Sequence, residues 1–482
     1  MTLLILLSVS FFAAVILAFI GDRKFAPEIN ILGSIVTFLA GIFLAVQVYM
    51  YGPIITGGKF FFVDAFNIYL VVLTSFVSMT TAMFSRRYMR HEREHGRVGH
   101  RGMRFYHAMF QLFIFAMLLA LLTNNVGVLW IAMELATLST VLLVSLYQTP
   151  TAIEAAWKYF ILCGVGIALA LFGTVLLYFA AERILGEGGE ALLWTNLNQV
   201  SDKLEPTVLS LAFVFLMVGY GTKVGLAPLH NWLPDAHSEG PTPISAVLSG
   251  LLLNIALYAL VRCKVLVDGA TGTHRAGYIM MGFGIISILI AAFSLLRQKD
   301  IKRMFAYSSI EHMGIATFAF GLGGPIATFG GLMHMLAHSL TKSSIFFTAG
   351  HASQMHSTQE MDRIKGLRRG NPLVGWGLIL GAIAIVGMPP FGIFMSEFLI
   401  LTATMKDAPL MTPLLLIGLG VAFAAIFRKV QPMVAGIVPS YQKSLKASHI
   451  PVILHLVLVL IIGLYMPDFL SQWFHKAVEI LK

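Results

Sequence analysis

The chain has 482 residues, 57% of them hydrophobic and 12% charged, and its mean hydropathy is +0.82. Soluble domains carry about a quarter charged residues, so this composition excludes a soluble globule and makes the bilayer the solvent. The formal net charge of +10 would suit nucleic acid only if it formed one patch, and its distribution along the chain is different.

A spanning helix needs about 20 mainly apolar residues. Such stretches are predicted at about 2–20, 30–51, 61–84, 106–122, 126–147, 154–180, 207–228, 242–262, 276–296, 304–320, 325–349, 372–404, 411–428 and 450–466. This gives an all-α polytopic membrane protein of about fourteen transmembrane helices. Lys and Arg collect in the odd-numbered connections, with seven arginines from Arg86 to Arg104 after the third stretch alone. Basic residues accumulate on the cytoplasmic side, which puts both termini outside and removes the need for a nucleic-acid partner. The first stretch, LLILLSVSFFAAVILAFIG, shows no basic leader or clear cleavage site and is expected to remain as a helix.

The connection after the third stretch contains His91-Glu92-Arg93-Glu94-His95, a literal H-E-x-x-H. On a helix this spacing offers two imidazoles to zinc and a glutamate as general base of a metalloprotease. Arginines surround it, Gly96 stops a helix just after His95, and no convincing third ligand follows. The expected role is a solvated loop anchoring the third and fourth helices, with a membrane zinc metalloprotease as the remote alternative. Only Cys163 and Cys263 are present. With no CxxC, no thiolate set and no GxxxxGK[ST], no metal site and no cofactor are expected in this chain.

Ionisable residues inside apolar stretches carry more information, because a charge at mid-bilayer costs roughly 2.5 to 3.5 kcal/mol even on insertion scales. In chain order they are Glu134 in the fifth stretch, Lys158 close to the expected cytoplasmic end of the sixth, Lys223 in GTKVGLAPLHNW, the His334, His338 and Lys342 series in GGLMHMLAHSLTKSSIFF, and Glu397 in GMPPFGIFMSEFLIL. The series advances in i, i+4 steps, so one helix face carries all three groups; a metal there is short of ligands. Lys158 can snorkel to the surface. Histidine exchanges protons near neutral pH, and the state of a carboxylate near a buried lysine decides whether that lysine holds its proton, at about 1.4 kcal/mol per pKa unit of coupling. The breaks at Pro228 and at Pro389-Pro390 lie at matching places in two five-helix blocks, the pattern of repeats around a polar site at the midplane.

The runs GTKVGLAPLHNWLPDAHSEGPTPISAVLSG, KDIKRMFAYSSIEHMG, HMLAHSLTKSSIFFTAGH and GMPPFGIFMSEFLIL closely resemble the antiporter-like membrane subunits shared by respiratory complex I, Mrp-type sodium/proton antiporters and membrane-bound group 4 hydrogenases. The resemblance covers roughly residues 60–430, and HSEGPTPISAVLSGLLLN and SSIEHMG are most similar to the hydrogenase-4 component F branch. It implies two inverted five-helix repeats, at 106–262 and 276–428, between an N-terminal unit of three helices and a basic loop (1–105) and a C-terminal loop, helix and tail (429–482). Helices 7 and 12 are broken. It also implies that Glu134 modulates Lys223, that His334, His338 and Lys342 form the eleventh-helix path, and that Glu397 is the terminal group. Lys158 matches a lysine found in part of the family, and His230, Asp235, His237, Glu311 and His312 are accessory positions in the same runs. Asn254 stands where many complex I members have a lysine; it cannot accept and release a proton, so continuity there has to run through water and neighbouring histidines.

The implied function is translocation of protons or sodium ions in the bacterial or archaeal cytoplasmic membrane. The chain would be an ion-moving subunit, and no catalyst by itself, of an energy-converting hydrogenase or formate hydrogenlyase-like complex. Its partners would be other membrane subunits and cytoplasmic redox subunits that carry iron–sulfur clusters and a nickel–iron site. A different reading is an Mrp-type cation/proton antiporter or inorganic-carbon uptake module without a redox partner. The segments 182–205 and 351–371 are candidate docking loops.

Overall fold

Within lipid every backbone amide must be satisfied inside its own segment, which leaves the helix as the structure for these apolar stretches. The computed structural model describes residues 2–437 and 447–481. Helices α1 (Thr2–Ile20) and α2 (Ala26–Tyr51) lead into a short antiparallel hairpin, β1 (Ile54–Thr56) and β2 (Phe61–Val63). Then follow α3 (Ala65–Glu94), α4 (His100–Leu122), α5 (Val126–Val144) and α6 (Pro150–Leu185). The seventh predicted span is two pieces, α7 (Pro206–Val224) and α8 (Trp232–Glu239), separated by a turn that starts at Gly225 with φ 81°. Helix α9 (Thr242–Thr271) runs through a π-helical turn at Leu248–Leu252.

Helices α10 (Arg275–Leu295), α11 (Ile301–Leu322) and α12 (Gly324–His356) follow. The twelfth predicted span is also divided, into α13 (Pro372–Ile385) and α14 (Gly392–Asp407). Helix α15 (Thr412–Ala435) precedes α16 (His449–Leu464), and α17 (Asp468–Ile480) turns away from α16 by 78°. Side-chain caps fix many of the starts: Asp64 accepts from the amides of Phe66 and Asn67, Asn125 from Gly127 and Val128, and Asp300 from Lys302 and Arg303.

Burial ranks the helices. The apolar window of α9 is wholly buried and that of α3 mostly so, whereas α1 and α2 present Phe12, Phe19 and Leu32 to the outside. One buried contact ties several elements together. Besides its capping bonds, Asp64 accepts at both carboxylate oxygens from Arg262 of α9 at 2.7 Å, and the Arg262 guanidinium lies 4.4 Å over the Trp194 ring. A buried charge is tolerated here because it is paired, bonded and stacked.

Several expectations change. Residues 61–63 are strand, not helix, and α3 runs to Glu94, so HEREH is the last helical turn and not a solvated loop. The 351–371 segment is shorter as a loop than expected, since α12 extends to His356 and Leu367–Gly370 is helical. Beyond the fourteenth stretch, α17 packs against α3: Trp473 donates its indole N–H to the Ala65 carbonyl at 2.8 Å. By length and apolarity, ten helices among the described residues are long enough to cross a membrane, or eleven with the bent α16–α17 pair. The other four of the predicted fourteen are the divided α13–α14 span, α16, which counts only with α17, and α11 and α12, which carry the ionisable residues of the candidate site.

Candidate proton-transfer site

Lys223 is the penultimate residue of α7, where the helix breaks, and is fully buried. Its ammonium donates to the Thr137 hydroxyl and lies 5.5 Å over the Tyr159 ring. Thr137 is one turn beyond Glu134 on α5, and its hydroxyl donates to the Met133 carbonyl at 2.9 Å. Among the described residues Glu134 makes no ion pair within 4.0 Å, so the expected carboxylate–lysine pair is not in direct contact. Glu134 is only half-buried, and its neighbours on that face, Ile131 and Leu138, are exposed.

The break after Lys223 is held by its own contacts. Trp232 donates to the Thr222 carbonyl at 2.8 Å, and the Ala227 amide donates to Ser287 at 2.8 Å. On α8, Asp235 receives Lys158 at 3.2 Å and also Arg303, while Lys158 pairs with Glu154 at 2.7 Å. Lys158 and Asp235 therefore form an exposed ionic group near the basic connections, away from the buried axis. His230 packs 6.2 Å from the Tyr307 ring, and His237 is buried with its ring 5.2 Å from Phe346 and both nitrogens unpartnered among the described residues.

Asn254 donates to the Gly250 and Met335 carbonyls at 3.2 and 3.1 Å and to Ser339 Oγ at 2.7 Å. It fastens the π-turn of α9 to α12. Ser249 of the same turn bonds Ser309 of α11 at 2.7 Å. Beyond it lies the second cluster. Lys342 donates to the Phe305 carbonyl at 2.9 Å, and Glu311 is buried beside the same helices with one carboxylate oxygen unpartnered. His312 of α11 meets His334 of α12, with Nδ1 3.1 Å from Nε2, and His338 lies 5.6 Å from His312 ring to ring. The other nitrogen of His334, Nδ1, is 2.9 Å from Ser396 Oγ. Glu397 of α14 stands 4.0 Å from His312. At the α13–α14 break, Gly387 (φ 68°) is packed so closely that a Cβ there would lie 2.0 Å from Glu397 Oε2. Pro389 and Pro390 are exposed at this break, and Pro228 belongs to the first.

On the face of the basic connections, a polar cavity of about 130 Å³ is lined by Tyr88, Arg97, Tyr147, Thr242, Lys302 and Gln354. Lys302 is buried and donates to the Ser238 and Gly240 carbonyls at 2.7 and 2.6 Å. Glu92 of HEREH faces this region: it accepts from Gln354 at 2.7 Å and pairs with Arg97 at 3.3 Å, with no exposed surface. Its carboxylate is thus engaged inward, while the His91 and His95 rings lie tilted 4.0 Å apart on the outside, so the glutamate of the motif is already held by other partners. Thr137, Ser396, Lys302 and Glu92 are the participants that sequence reading did not assign. Ser396 and Thr137 could have been suspected, being one residue and one turn from the two selected carboxylates.

The family model described as NADH:quinone oxidoreductase/Mrp antiporter, TM, matches residues 123–424. A relative named hydrogenase-4 component F homolog, from Methylacidiphilum infernorum (isolate V4), is 46% identical over 472 residues, covering 98% of both chains. Among solved structures, a chain of the membrane-bound sulfane sulfur reductase, an archaeal respiratory membrane complex, superposes with a TM-score of 0.90 at 25% identity, covering 99% of this chain and 97% of that one. A chain of the Mrp complex from Dietzia sp. DQ12-45-1b gives 0.86 at 17% identity, covering 100% and 97%, a likeness of fold.

Proposed function

Because the chain belongs to the NADH:quinone oxidoreductase/Mrp antiporter membrane family, we propose that it is a proton-translocating subunit of a hydrogenase-type membrane complex, driven by redox chemistry in partner subunits. The observation that carries this reading is the set of ionisable groups buried between α5, α7, α11, α12 and α14. Hiding Lys223, Lys342, Glu311, Glu397 and three histidines in apolar surroundings is costly, and their chemistry suits proton exchange. Glu134 modulates Lys223 by its charge, with Thr137 one turn along α5 holding the ammonium; Lys342, His338, His312, His334 and Glu397 pass protons toward the α13–α14 break. The polar cavity beside Glu92 and Lys302 is the water-accessible pocket on the basic face. Asn254 holds helices in register, and water carries protons past it.

The two breaks support the assignment of 106–262 and 276–428 as inverted repeats around this axis. The exposed face around the half-buried Glu134 is the natural contact for another membrane subunit, since a carboxylate at that depth requires a polar cover. Iron–sulfur and nickel–iron centres belong to the partners, the membrane is the bacterial or archaeal cytoplasmic membrane, and the basic connections place both termini outside. The test is Lys223→Ala in inverted vesicles of the assembled complex, with redox turnover and proton uptake recorded together in sodium-containing and sodium-free buffer. Uptake is expected to vanish in both buffers. Full uptake in the variant would remove Lys223 from the path.

A further inference from the structure

His312, His334 and Glu397 come from three different helices, and one donor atom from each lies within 4.8 Å of the others. Nδ1 of His312 is 3.1 Å from Nε2 of His334 and 4.0 Å from Oε1 of Glu397. Ligands at the bond lengths of tetrahedral zinc stand about 3.3 Å apart. The imidazoles are thus already at ligand spacing, and the carboxylate needs to close by about 0.7 Å on His312 and by up to about 1.5 Å on His334. The second nitrogen of His334 is held by Ser396 at 2.9 Å, the kind of outer contact that orients a ligating histidine. Glu397 Oε1 and both nitrogens of the adjacent His338 have no hydrogen-bond partner among the described residues. Two neutral imidazoles and one carboxylate, with a fourth position left to water, form a donor set for a divalent transition metal. The carboxylate offsets part of the charge that would otherwise keep a dication out of the membrane. Sequence reading found the α12 histidines short of ligands; the missing ones arrive from α11 and α14.

We propose that His312, His334 and Glu397 bind one divalent transition-metal ion of the zinc type, and that its occupancy arrests proton transfer. The arrest rests on the relay reading above, whereas the binding does not. Bound metal takes the lone pairs that the imidazoles and the carboxylate use to accept protons, so the relay is interrupted at its last stage.

The His91 and His95 pair on the surface is a competing site, so binding is measured on the intact complex carrying His91→Ala and His95→Ala. Co2+ is the probe. The expected result is one Co2+ per chain with the intense visible bands of a four-coordinate ion, displaced by Zn2+ and lost in His334→Ala and in Glu397→Gln. Ser396→Ala removes no ligand and is expected to weaken binding about 10- to 100-fold. In vesicles, Zn2+ should stop proton uptake at the concentration that fills the site, and Ser396→Ala should raise that concentration by the same factor. Absence of bound cobalt in the surface variant, or bands indifferent to His334→Ala, would reduce the effect to adventitious surface binding and overturn the site. If the ligand variants fail to assemble, Ser396→Ala decides, with unchanged affinity counting against the site. Binding without inhibition overturns the arrest and leaves the site standing.

Discussion

Gly387→Ala places a single methyl group against the proposed terminal carboxylate. The residue has φ 68°, so the substitution carries the strain of a left-handed backbone, roughly 1–2 kcal/mol. That is small against the roughly 5–15 kcal/mol stability of a typical domain, and assembly should survive. The larger effect is local. The new Cβ would stand 2.0 Å from Glu397 Oε2, where carbon and oxygen normally keep about 3.4 Å, so the carboxylate must retreat by about 1.4 Å. A misplacement of about 1 Å in a reacting group can cost about 100-fold in rate, and proton uptake in Gly387→Ala is expected to fall by about that factor. Gly272→Ala is the control: its φ is 58° in the left-handed region, and nothing lies within 4 Å of its Cβ, so it shares the strain without touching an ionisable group. The assay is quenching of a pH-sensitive dye in inverted vesicles, with redox turnover followed in the same sample. Equal uptake by the two variants would refute the placement of Glu397 in the relay.

Thr137→Val removes the hydroxyl that receives Lys223; hydrogen bonds to charged groups are worth about 1.5–3 kcal/mol, so uptake should drop about 10- to 100-fold, read in the same vesicles beside Lys223→Ala. Arg262→Met strands the buried Asp64 carboxylate and should cost about 3–5 kcal/mol, seen as a lower midpoint of thermal unfolding that Asp64→Asn partly restores. In the loop between α1 and α2, the Arg104 guanidinium bonded to Asp22 at 2.7 Å holds that carboxyl well below the usual carboxylate range. Its contribution is therefore present above the unfolded-state value of about 3.9 and lost as pH falls through the lower folded value; stability curves of wild type and Asp22→Asn should stay separated above about pH 4 and converge in stronger acid.

Much of this architecture was legible because the relevant signals are local. Apolar runs of spanning length, prolines at the two breaks and charges within those runs can be read without knowing which helices touch. The i, i+4 spacing of His334, His338 and Lys342 already placed them on one face. What sequence could not supply was the meeting of that face with other helices: His312 is 22 residues from His334 and Ser396 is 62, and no periodicity encodes such contacts. HEREH misled in a related way. Its surroundings look like a solvated arginine-rich loop, yet Glu92 points inward because Gln354 and Arg97 satisfy it. Helix α17 was missed because its polar residues ended the apolar run that defined the last span.

The π-helical turn at Leu248–Leu252 has a consequence for how relatives of this chain are compared. A π-turn accommodates one residue more than the α-helix around it, so the two parts of α9 follow separate registers. Loss of one residue there would return the turn to ordinary α-helix and leave Thr242 and Ser245 facing their present neighbours, whereas loss of one residue elsewhere in α9 would rotate the two parts by about 100° against each other. A single-residue gap in an alignment at this point would therefore mark a protein that lacks the π-turn but keeps the same contacts on either side, while a gap elsewhere in the helix would mark one whose two parts face different neighbours.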